Sequence, residues 1–356
     1  SAWLLMGLPG SILAFGFGQM WIGIGLALGT AANWIFVAKR LRKFSSAAGD
    51  AITVPQYLGN RFLSKSNALQ VICAIIFFVC FTIYVASAYV AGASVFTAIF
   101  PSLSSHAAMI IFALAMLLIT FFGGFKAVCW TDFFQGILMF AALMTVPIVI
   151  AITKDMDPAA LSVVYSYKDA VSGEMVECSF GTGLFDASWQ DIISGLAWGL
   201  GYFGMPHILV RFMSIEKPSM VKKSATVAII WVICALGCAC LIAYFGRMFL
   251  AEELLTAGAQ KMVFIDFARK LFPSFIAGIL MAAIIAASMS TADSQLLVAS
   301  SSFTSDIYKP IIRKDADEKE ILWVGRIIVV IVAVIAFFIA SSKGSGAQAI
   351  MNLVEN

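Results

Sequence analysis

The sequence predicts an all-α, polytopic membrane protein, and three observations lead to this prediction. Of the 356 residues, 61% are hydrophobic and only 12% are charged, whereas soluble globular domains have about 45–50% apolar and about 25% charged residues. The mean hydropathy is +0.96. The hydrophobic residues form long continuous runs, unlike outer-membrane strands, in which apolar and polar residues alternate over about 10 residues. A soluble enzyme and an outer-membrane barrel are therefore excluded.

Eight segments are apolar enough to be predicted as membrane-spanning helices, which need about 20 mainly apolar residues. In chain order they are 11–38, 68–99, 106–122, 131–153, 189–213, 224–246, 273–305 and 321–341. A partial span occupies residues 1–9, and another is expected to begin near residue 346. We interpret the chain as a fragment truncated at both ends that forms a single transmembrane domain over residues 1–356.

The distribution of lysine and arginine predicts the orientation of these spans. Of the 23 basic residues, 16 fall in one set of loops and the remaining 7 in the other. Because cytoplasmic loops carry the excess of basic residues, we place the first set, which includes the loops around 39–43 and 309–319, in the cytoplasm. The stretches 154–188 and 252–269 then face outward, and both are too short to be catalytic domains.

A polar run at residues 286–295 interrupts an otherwise apolar span. At 100° per residue, one stripe of this helix carries Ala287, Ser290, Thr291 and Ser294. Asp293 lies about 60° from Ser290 on the same helix, and an ionisable group inside a membrane costs about 2.5–3.5 kcal/mol. Such a compact set of oxygen atoms suits a small, hard cation. The alternative is that small hydroxyl residues let helices pack closely, which leaves Asp293 unexplained.

A second acid, Asp132, follows Trp130 and Thr131 at the predicted start of a span. From position alone, a helix cap is the favoured interpretation, because the N-terminal end of the helix dipole stabilises a carboxylate. Participation in a cation site is the alternative.

The segment 195–207 combines four glycines, Pro206 and two aromatic residues. Such helix breaks occur in membranes only where the backbone faces protein or a water-filled cavity, and secondary transporters bind solute and ion at broken helices. Trp198 and Tyr202 are four residues apart, so on an α-helix both would point the same way. The alternative is that Gly195 and Gly199 form a helix-packing face.

Motifs typical of enzymes are absent from the sequence. It contains no phosphate loop, no nucleophile elbow and no metalloprotease helix. The net charge of +3 is too small to indicate binding of nucleic acid. We therefore expect neither enzymatic activity nor an organic cofactor.

Five segments resemble the sodium:solute symporter family, and in particular its proline-transporting members. They are 1–10 (SAWLLMGLPG), 123–125 with 130–132 (GGF and WTD), 198–213 (WGLGYFGMPHILVRFM), 289–291 (MST) and 305–309 (SDIYK). The resemblance implies a LeuT-type, inverted-repeat helical bundle. It also implies Na⁺/L-proline symport by alternating access across the bacterial cytoplasmic membrane, with Na⁺ as the coupling ion.

The resemblance also assigns the site residues. The sodium ligands would be Ala287, Ser290 and Thr291, completed by backbone groups of a first core helix upstream of Ser1. A second sodium position, present in some members, would match Asp132, Ser290, Asp293 and Ser294. The substrate-binding residues would be Ser1, Trp3, Tyr84, Trp198, Tyr202 and Pro206.

Other functions remain open at this point. The same machinery could carry pantothenate, a sugar or sialic acid instead of proline. The chain could also be the membrane part of a transporter-like sensor, or a channel. The expected partners are a small solute and the lipid bilayer, without nucleic acid, and the oligomeric state is left open.

Overall fold

The computed structural model describes residues 2–168 and 174–342. The chain forms two compact units. The first unit comprises Ser1–Ile35, Gly136–Gly204 and Lys222–Ala286, and the second comprises Phe36–Gln135, Met205–Val221 and Ala287–Asn356. The single transmembrane domain over residues 1–356 remains a prediction.

The regular elements are almost all helical. The α-helices are α1 (Gly7–Phe15), α2 (Met20–Ala32), α3 (Lys39–Ala47), α4 (Val54–Arg61), α5 (Ala68–Ile99), α6 (Ser105–Thr153), α7 (Trp189–Ala197), α8 (Pro206–Met213), α9 (Val221–Phe249), α10 (Ala251–Thr256), α11 (Val263–Leu271), α12 (Ser274–Phe303) and α13 (Glu318–Ser341). Short 3₁₀ helices cover Ala2–Leu4, Phe17–Gln19, Pro158–Ser162, Trp198–Phe203, Pro218–Met220 and Gln260–Met262. Asn33–Ala38 and Thr304–Ile312 are π-helical. The strands are β1 (Tyr165–Lys168) and β2 (Met175–Cys178).

Within residues 2–168 and 174–342, six helices are long and apolar enough to cross a membrane. A seventh span is the bent pair Trp189–Phe203 and Pro206–Met213, which meet at 45°. The predicted span 68–99 coincides with α5, and the predicted spans 224–246 and 321–341 lie inside Pro218–Phe249 and Glu318–Ser341. The span predicted near residue 346 falls outside the described residues.

Glycines with positive φ interrupt the helices at two places, Gly16 and Gly124. Gly16 (φ 87) ends α1, so the first long apolar segment is Phe17–Ala47 rather than 11–38. Gly124 (φ 58, ψ −158) has non-helical backbone angles and divides Ser105–Thr153 into two helices that meet at a kink, in agreement with the separate spans predicted at 106–122 and 131–153. Glycine adopts this left-handed region without the steric penalty of a Cβ atom.

The segment 154–188, predicted as a short helix or turn region, contains a small β-hairpin. β1 and β2 pair antiparallel, with Tyr165 opposite Cys178 and Lys168 opposite Met175. In the same unit, the fully buried Arg247 side chain donates hydrogen bonds to three backbone carbonyl oxygens: Leu13 (3.3 Å), Val163 (2.5 Å) and Cys178 (3.1 Å). Its guanidinium also lies over the Tyr165 ring, 5.1 Å from the centroid. One buried cation thus connects α9, α1 and the hairpin.

The core of the second unit is built from α5, α6, α12 and α13. Its largest fully buried members are Tyr89 and Phe112, whose rings meet edge to face at 6.2 Å. Asp317 precedes α13 as its N-cap, and its carboxylate accepts a hydrogen bond from the Glu320 backbone N–H at 2.7 Å. This N-cap satisfies a donor that the first turn of a helix otherwise leaves free.

Candidate functional site

Three oxygen atoms on α12 cluster in the second unit. The Ser290 hydroxyl donates to the Ala287 carbonyl oxygen at 3.2 Å, and the Thr291 hydroxyl donates to the same carbonyl at 3.4 Å. Ala287 is buried, whereas Ser290 and Thr291 are half-buried. We call these three oxygens the Ala287 cluster. Back-bonding of serine and threonine to an earlier carbonyl is common in helices, and here two hydroxyls share one carbonyl, which places three oxygen atoms close together.

Asp132 and Ser294 lie beside each other, and Arg211 binds both. The Nη2 atom of Arg211 donates to Asp132 Oδ2, and to Ser294 Oγ at 2.8 Å. Ser294 Oγ lies 3.5 Å from the same carboxylate oxygen. The other terminal nitrogen of Arg211, Nη1, donates to the His207 carbonyl at 3.0 Å. A guanidinium thus occupies the position next to the two oxygens that sequence analysis placed in a second cation site.

The helix-cap interpretation of Asp132 is wrong. The residue lies inside α6, about two turns beyond the interruption at Gly124, and its carboxylate forms an ion pair with Arg211. The predicted start of a span at residue 131 had suggested the cap, and that boundary was misplaced.

Asp293 does not share the contacts of Asp132 and Ser294. Its side chain is fully buried, and neither carboxylate oxygen has a hydrogen-bond partner among the described residues. Asp132 and Tyr89 lie within electrostatic range of it. A buried carboxylate without a partner is strongly unfavourable in its ionised form, and a nearby cation would compensate that charge.

A cavity of about 500 Å³ lies in the second unit next to this ion pair. Its lining residues include Arg211, His207, Ser294 and Asp50, together with apolar residues such as Leu297. The Arg211 side chain is 36% exposed and that of Asp132 only 17%. Arg211 therefore faces the cavity, while Asp132 lies deeper.

The first unit holds three of the predicted substrate-binding residues. Trp3 and Trp198 stack with their ring centroids 5.6 Å apart and their planes at 21°. Tyr202 is half-buried, and its carbonyl accepts a hydrogen bond from the Asn33 side-chain amide at 2.8 Å. Ser1 lies outside the described residues.

The α-helical spacing expected for Trp198 and Tyr202 does not hold. Trp198–Phe203 is a 3₁₀ helix, and with three residues per turn, positions four apart differ by about 120° rather than about 40°. The predicted break is confirmed, because α8 begins at Pro206 after a bend of 45°.

The packing role considered for Gly195 and Gly199 is also confirmed. A Cβ atom on Gly195 would come within 2.9 Å of backbone atoms of Trp21 and Ile22 on α2. One on Gly199 would lie 3.1 Å from the Cα of Gly29. These glycines let α2 approach the broken helix, so the same segment serves both as a packing face and as a helix break.

Tyr84 and Pro206, the other two predicted substrate residues, belong to the second unit. Tyr84 stacks on Phe81 at 6.1 Å, and Phe81 in turn meets the His207 ring edge to face at 5.8 Å. His207 directly follows Pro206 at the start of α8. A short aromatic chain therefore links Tyr84 to the first turn of α8.

Sequence analysis gave no role to Arg211 or Asp306. Asp306 is fully buried, and its Oδ1 accepts hydrogen bonds from the Thr53 hydroxyl at 2.6 Å and the Gln70 amide at 2.9 Å. Asp306 could have been found as an acid within an apolar stretch. Arg211 could have been found as an arginine about one turn after the helix-breaking Pro206.

Comparison with known proteins identifies the family. The family model described as "Sodium:solute symporter family" matches residues 1–356. The chain belongs to this family. It is 41% identical over 346 residues to a protein named sodium/proline symporter of Escherichia coli (strain K12), covering 96% of this chain and 67% of that relative. It is 40% identical over 345 residues to the high-affinity proline transporter PutP of Bacillus subtilis (strain 168), covering 97% of this chain and 71% of the relative.

A solved structure supports the fold. The chain resembles the substrate-bound, outward-open state of a Na⁺-coupled sialic acid symporter with a TM-score of 0.74 and 19% identity, over 99% of this chain and 72% of that one. The predicted fold class, an all-α, polytopic bundle of the LeuT type, is confirmed. The protein is a multi-pass, sodium-coupled transporter of a small solute in the bacterial plasma membrane, and not an enzyme.

Proposed function

We propose that this symporter carries L-proline together with Na⁺ by alternating access. The names of the relatives at 40–41% identity support the solute. The observation that carries the coupling mechanism is the convergence of the Ser290 and Thr291 hydroxyls on one carbonyl oxygen, at 3.2 and 3.4 Å.

The proposed sodium ligands are Ala287, Ser290 and Thr291. To bind the ion, both hydroxyls rotate their hydrogens away from the carbonyl, so each exchanges a hydrogen bond with a net worth of about 1 kcal/mol for an ion contact. This rotation frees the lone pairs of all three oxygens for the cation. Moving one charge through 100 mV supplies about 2.3 kcal/mol, which at about 1.4 kcal/mol per decade supports about 40-fold accumulation of solute.

The proposed solute contacts in the first unit are Trp3, Trp198 and Tyr202. The stacked indole rings of Trp3 and Trp198 provide a flat, apolar surface for the pyrrolidine ring of proline. Aromatic faces also attract a cationic nitrogen, which proline carries. The resemblance adds Tyr84 and Pro206 in the second unit, and Ser1.

We propose that the second cation position, predicted at Asp132, Asp293 and Ser294, is one at which the Arg211 guanidinium supplies the positive charge. Arg211 is bonded to two of these residues. Asp293 adds a further buried carboxylate close to Asp132.

Uptake of radiolabelled L-proline into proteoliposomes containing the intact protein tests the proposal. An inward Na⁺ gradient should drive accumulation, and a K⁺ gradient should not. Excess unlabelled L-proline should abolish the signal, whereas pantothenate, sugars and sialic acid should not. Competition by one of those solutes, without competition by proline, would identify that solute as the substrate. It would not contradict the proposed sodium coupling. Flux that does not saturate would indicate a channel.

A further inference from the structure

Arg211 makes contacts that a bound cation at the Asp132–Ser294 position would make. One nitrogen, Nη2, donates to both Asp132 Oδ2 and Ser294 Oγ, and Nη1 is held by the His207 carbonyl. The guanidinium therefore supplies both the positive charge and the hydrogen-bond donors that these two oxygens require.

We propose that Arg211 is a built-in cation that keeps sodium out of the Asp132–Ser294 position, so that one Na⁺ binds per protein, at the Ala287 cluster. This inference rests on the proposed sodium symport and extends it to the ion stoichiometry.

Electrostatics and geometry support the exclusion. A sodium ion on Asp132 Oδ2 and Ser294 Oγ would share both oxygens with the guanidinium, and two like charges at contact distance repel each other strongly. The charge of the Asp132 carboxylate is already compensated by Arg211, so a sodium ion on this carboxylate gains less than it would beside an unpaired one. An ion can enter only if Arg211 leaves.

The local fold holds Arg211 in place. It lies in the last turn of α8, a helix that starts at Pro206, and its Nη1 bonds to the carbonyl of His207 one turn earlier. Arg211 and Ser294 line the cavity of about 500 Å³, and Asp132 lies behind them. An ion that approaches through this cavity therefore meets the guanidinium before it reaches the carboxylate.

Equilibrium binding of ²²Na⁺ to the purified intact protein, at saturating Na⁺ and L-proline, measures the stoichiometry directly. The wild type should bind one ion per protein. Arg211→Gln removes the charge and leaves a shorter, neutral polar side chain, so it should bind two. The double variant Arg211→Gln/Asp132→Asn should return to one. Asp50→Asn, which removes an exposed carboxylate from the same cavity, is the matched control and should bind one.

The dependence of the melting temperature on Na⁺ concentration provides a second test. Removing Arg211 leaves Asp132 without its partner, and a bound sodium ion compensates that charge. The melting temperature of Arg211→Gln should therefore rise with Na⁺ concentration more steeply than that of the wild type. In Arg211→Gln/Asp132→Asn, this additional sodium dependence should disappear.

Two bound ions in the wild type would overturn the proposal, whatever the variants do. So would a single ion in an Arg211→Gln protein that still binds proline. If Arg211→Gln does not fold, sodium binding to Asp132→Asn tests the proposal instead. This variant should still bind one ion, and an Asp132→Asn protein that binds no sodium would contradict the proposal. A wild type that binds no sodium would instead refute the proposed function.

Discussion

Thr291 and Ala287 are joined by a hydrogen bond from the threonine hydroxyl to the carbonyl oxygen, over 3.4 Å within α12. Ser290 donates to the same carbonyl. Both hydroxyls thus have a local hydrogen-bond partner, which each would give up on binding sodium at the proposed site.

The first prediction concerns the Thr291 hydroxyl. Thr291→Val keeps the shape of the side chain and removes one proposed sodium ligand. The Na⁺ concentration for half-maximal proline uptake should rise by about tenfold, equivalent to about 1.4 kcal/mol, while the KM for proline at saturating Na⁺ changes little. Thr145→Val, which removes a similarly back-bonded hydroxyl from α6, is the control. An unchanged sodium dependence in Thr291→Val would remove this residue from the site.

The second prediction tests whether the stacked Trp198 binds the solute or only packs against its neighbour. Trp198→Ala should raise the KM for proline by about tenfold, because an aromatic contact contributes about 0.5–1.5 kcal/mol beyond the area that it buries. Its sodium dependence should stay unchanged. Trp231→Ala is matched, because Trp231 also stacks in the first unit, on Phe140 at 5.9 Å. It should lower the melting temperature without changing the KM. Equal effects of the two variants on the KM would indicate that Trp198 is only structural.

The spans and the broken helix could be predicted from the sequence because their signals are local. The uninterrupted apolar run of α5 predicts a membrane span from consecutive residues. The glycines and the proline of 195–207 predict a helix break in the same way. The limit at Gly16 was missed because a glycine inside an apolar run does not reveal whether φ is positive, whereas the break at Gly124 falls in the gap between the predicted spans 106–122 and 131–153. The 3₁₀ helix at Trp198–Phe203 was missed for a similar reason: its sequence fits an α-helix equally well.

The polar contacts of the second unit could not be predicted, because their partners are distant in sequence. Arg211 reaches Asp132 across 79 positions and Ser294 across 83. Thr53 and Asp306 are 253 positions apart. Sequence patterns identified the acids as unusual but could not pair them with their donors.

The third prediction concerns the buried pair of Thr53 and Asp306. Thr53 also caps α4, because its hydroxyl accepts a hydrogen bond from the Gln56 N–H at 3.2 Å. Thr53→Val removes the cap and one of the two donors to Asp306, so it should destabilise the protein by about 2–3 kcal/mol. Chemical denaturation of the purified protein measures this loss. Thr226→Val, a back-bonded threonine on α9, should change stability by less than about 0.5 kcal/mol. Similar losses in both variants would contradict the account of this pair.

The fourth prediction concerns Arg247 and the hairpin. Burial raises the pKa of the Cys178 thiol, and Arg247 lowers it by a smaller amount, so in the wild type this thiol is protonated at pH 7 and reacts slowly with maleimides. Arg247→Gln loosens the hairpin, because the charged donor to three carbonyls is lost. Labelling of Cys178, followed by mass spectrometry, should accelerate by at least about tenfold, since each charged hydrogen bond is worth about 1.5–3 kcal/mol.

Lys168→Gln removes an exposed charge from β1 of the same hairpin. It should leave the labelling rate of Cys178 unchanged. A rate in Arg247→Gln equal to that in Lys168→Gln would mean that the arginine does not hold the hairpin.

The central claim, that sodium and proline bind the same protein cooperatively, is tested most directly by measuring both affinities. Sodium should lower the Kd of L-proline for the purified intact protein, and saturating proline should lower the Kd of Na⁺ by the same factor, because binding free energies are reciprocally linked. Thr291→Val should shift both curves to higher Na⁺ concentrations. A Kd for proline that is the same in Na⁺ and in K⁺ would contradict the account.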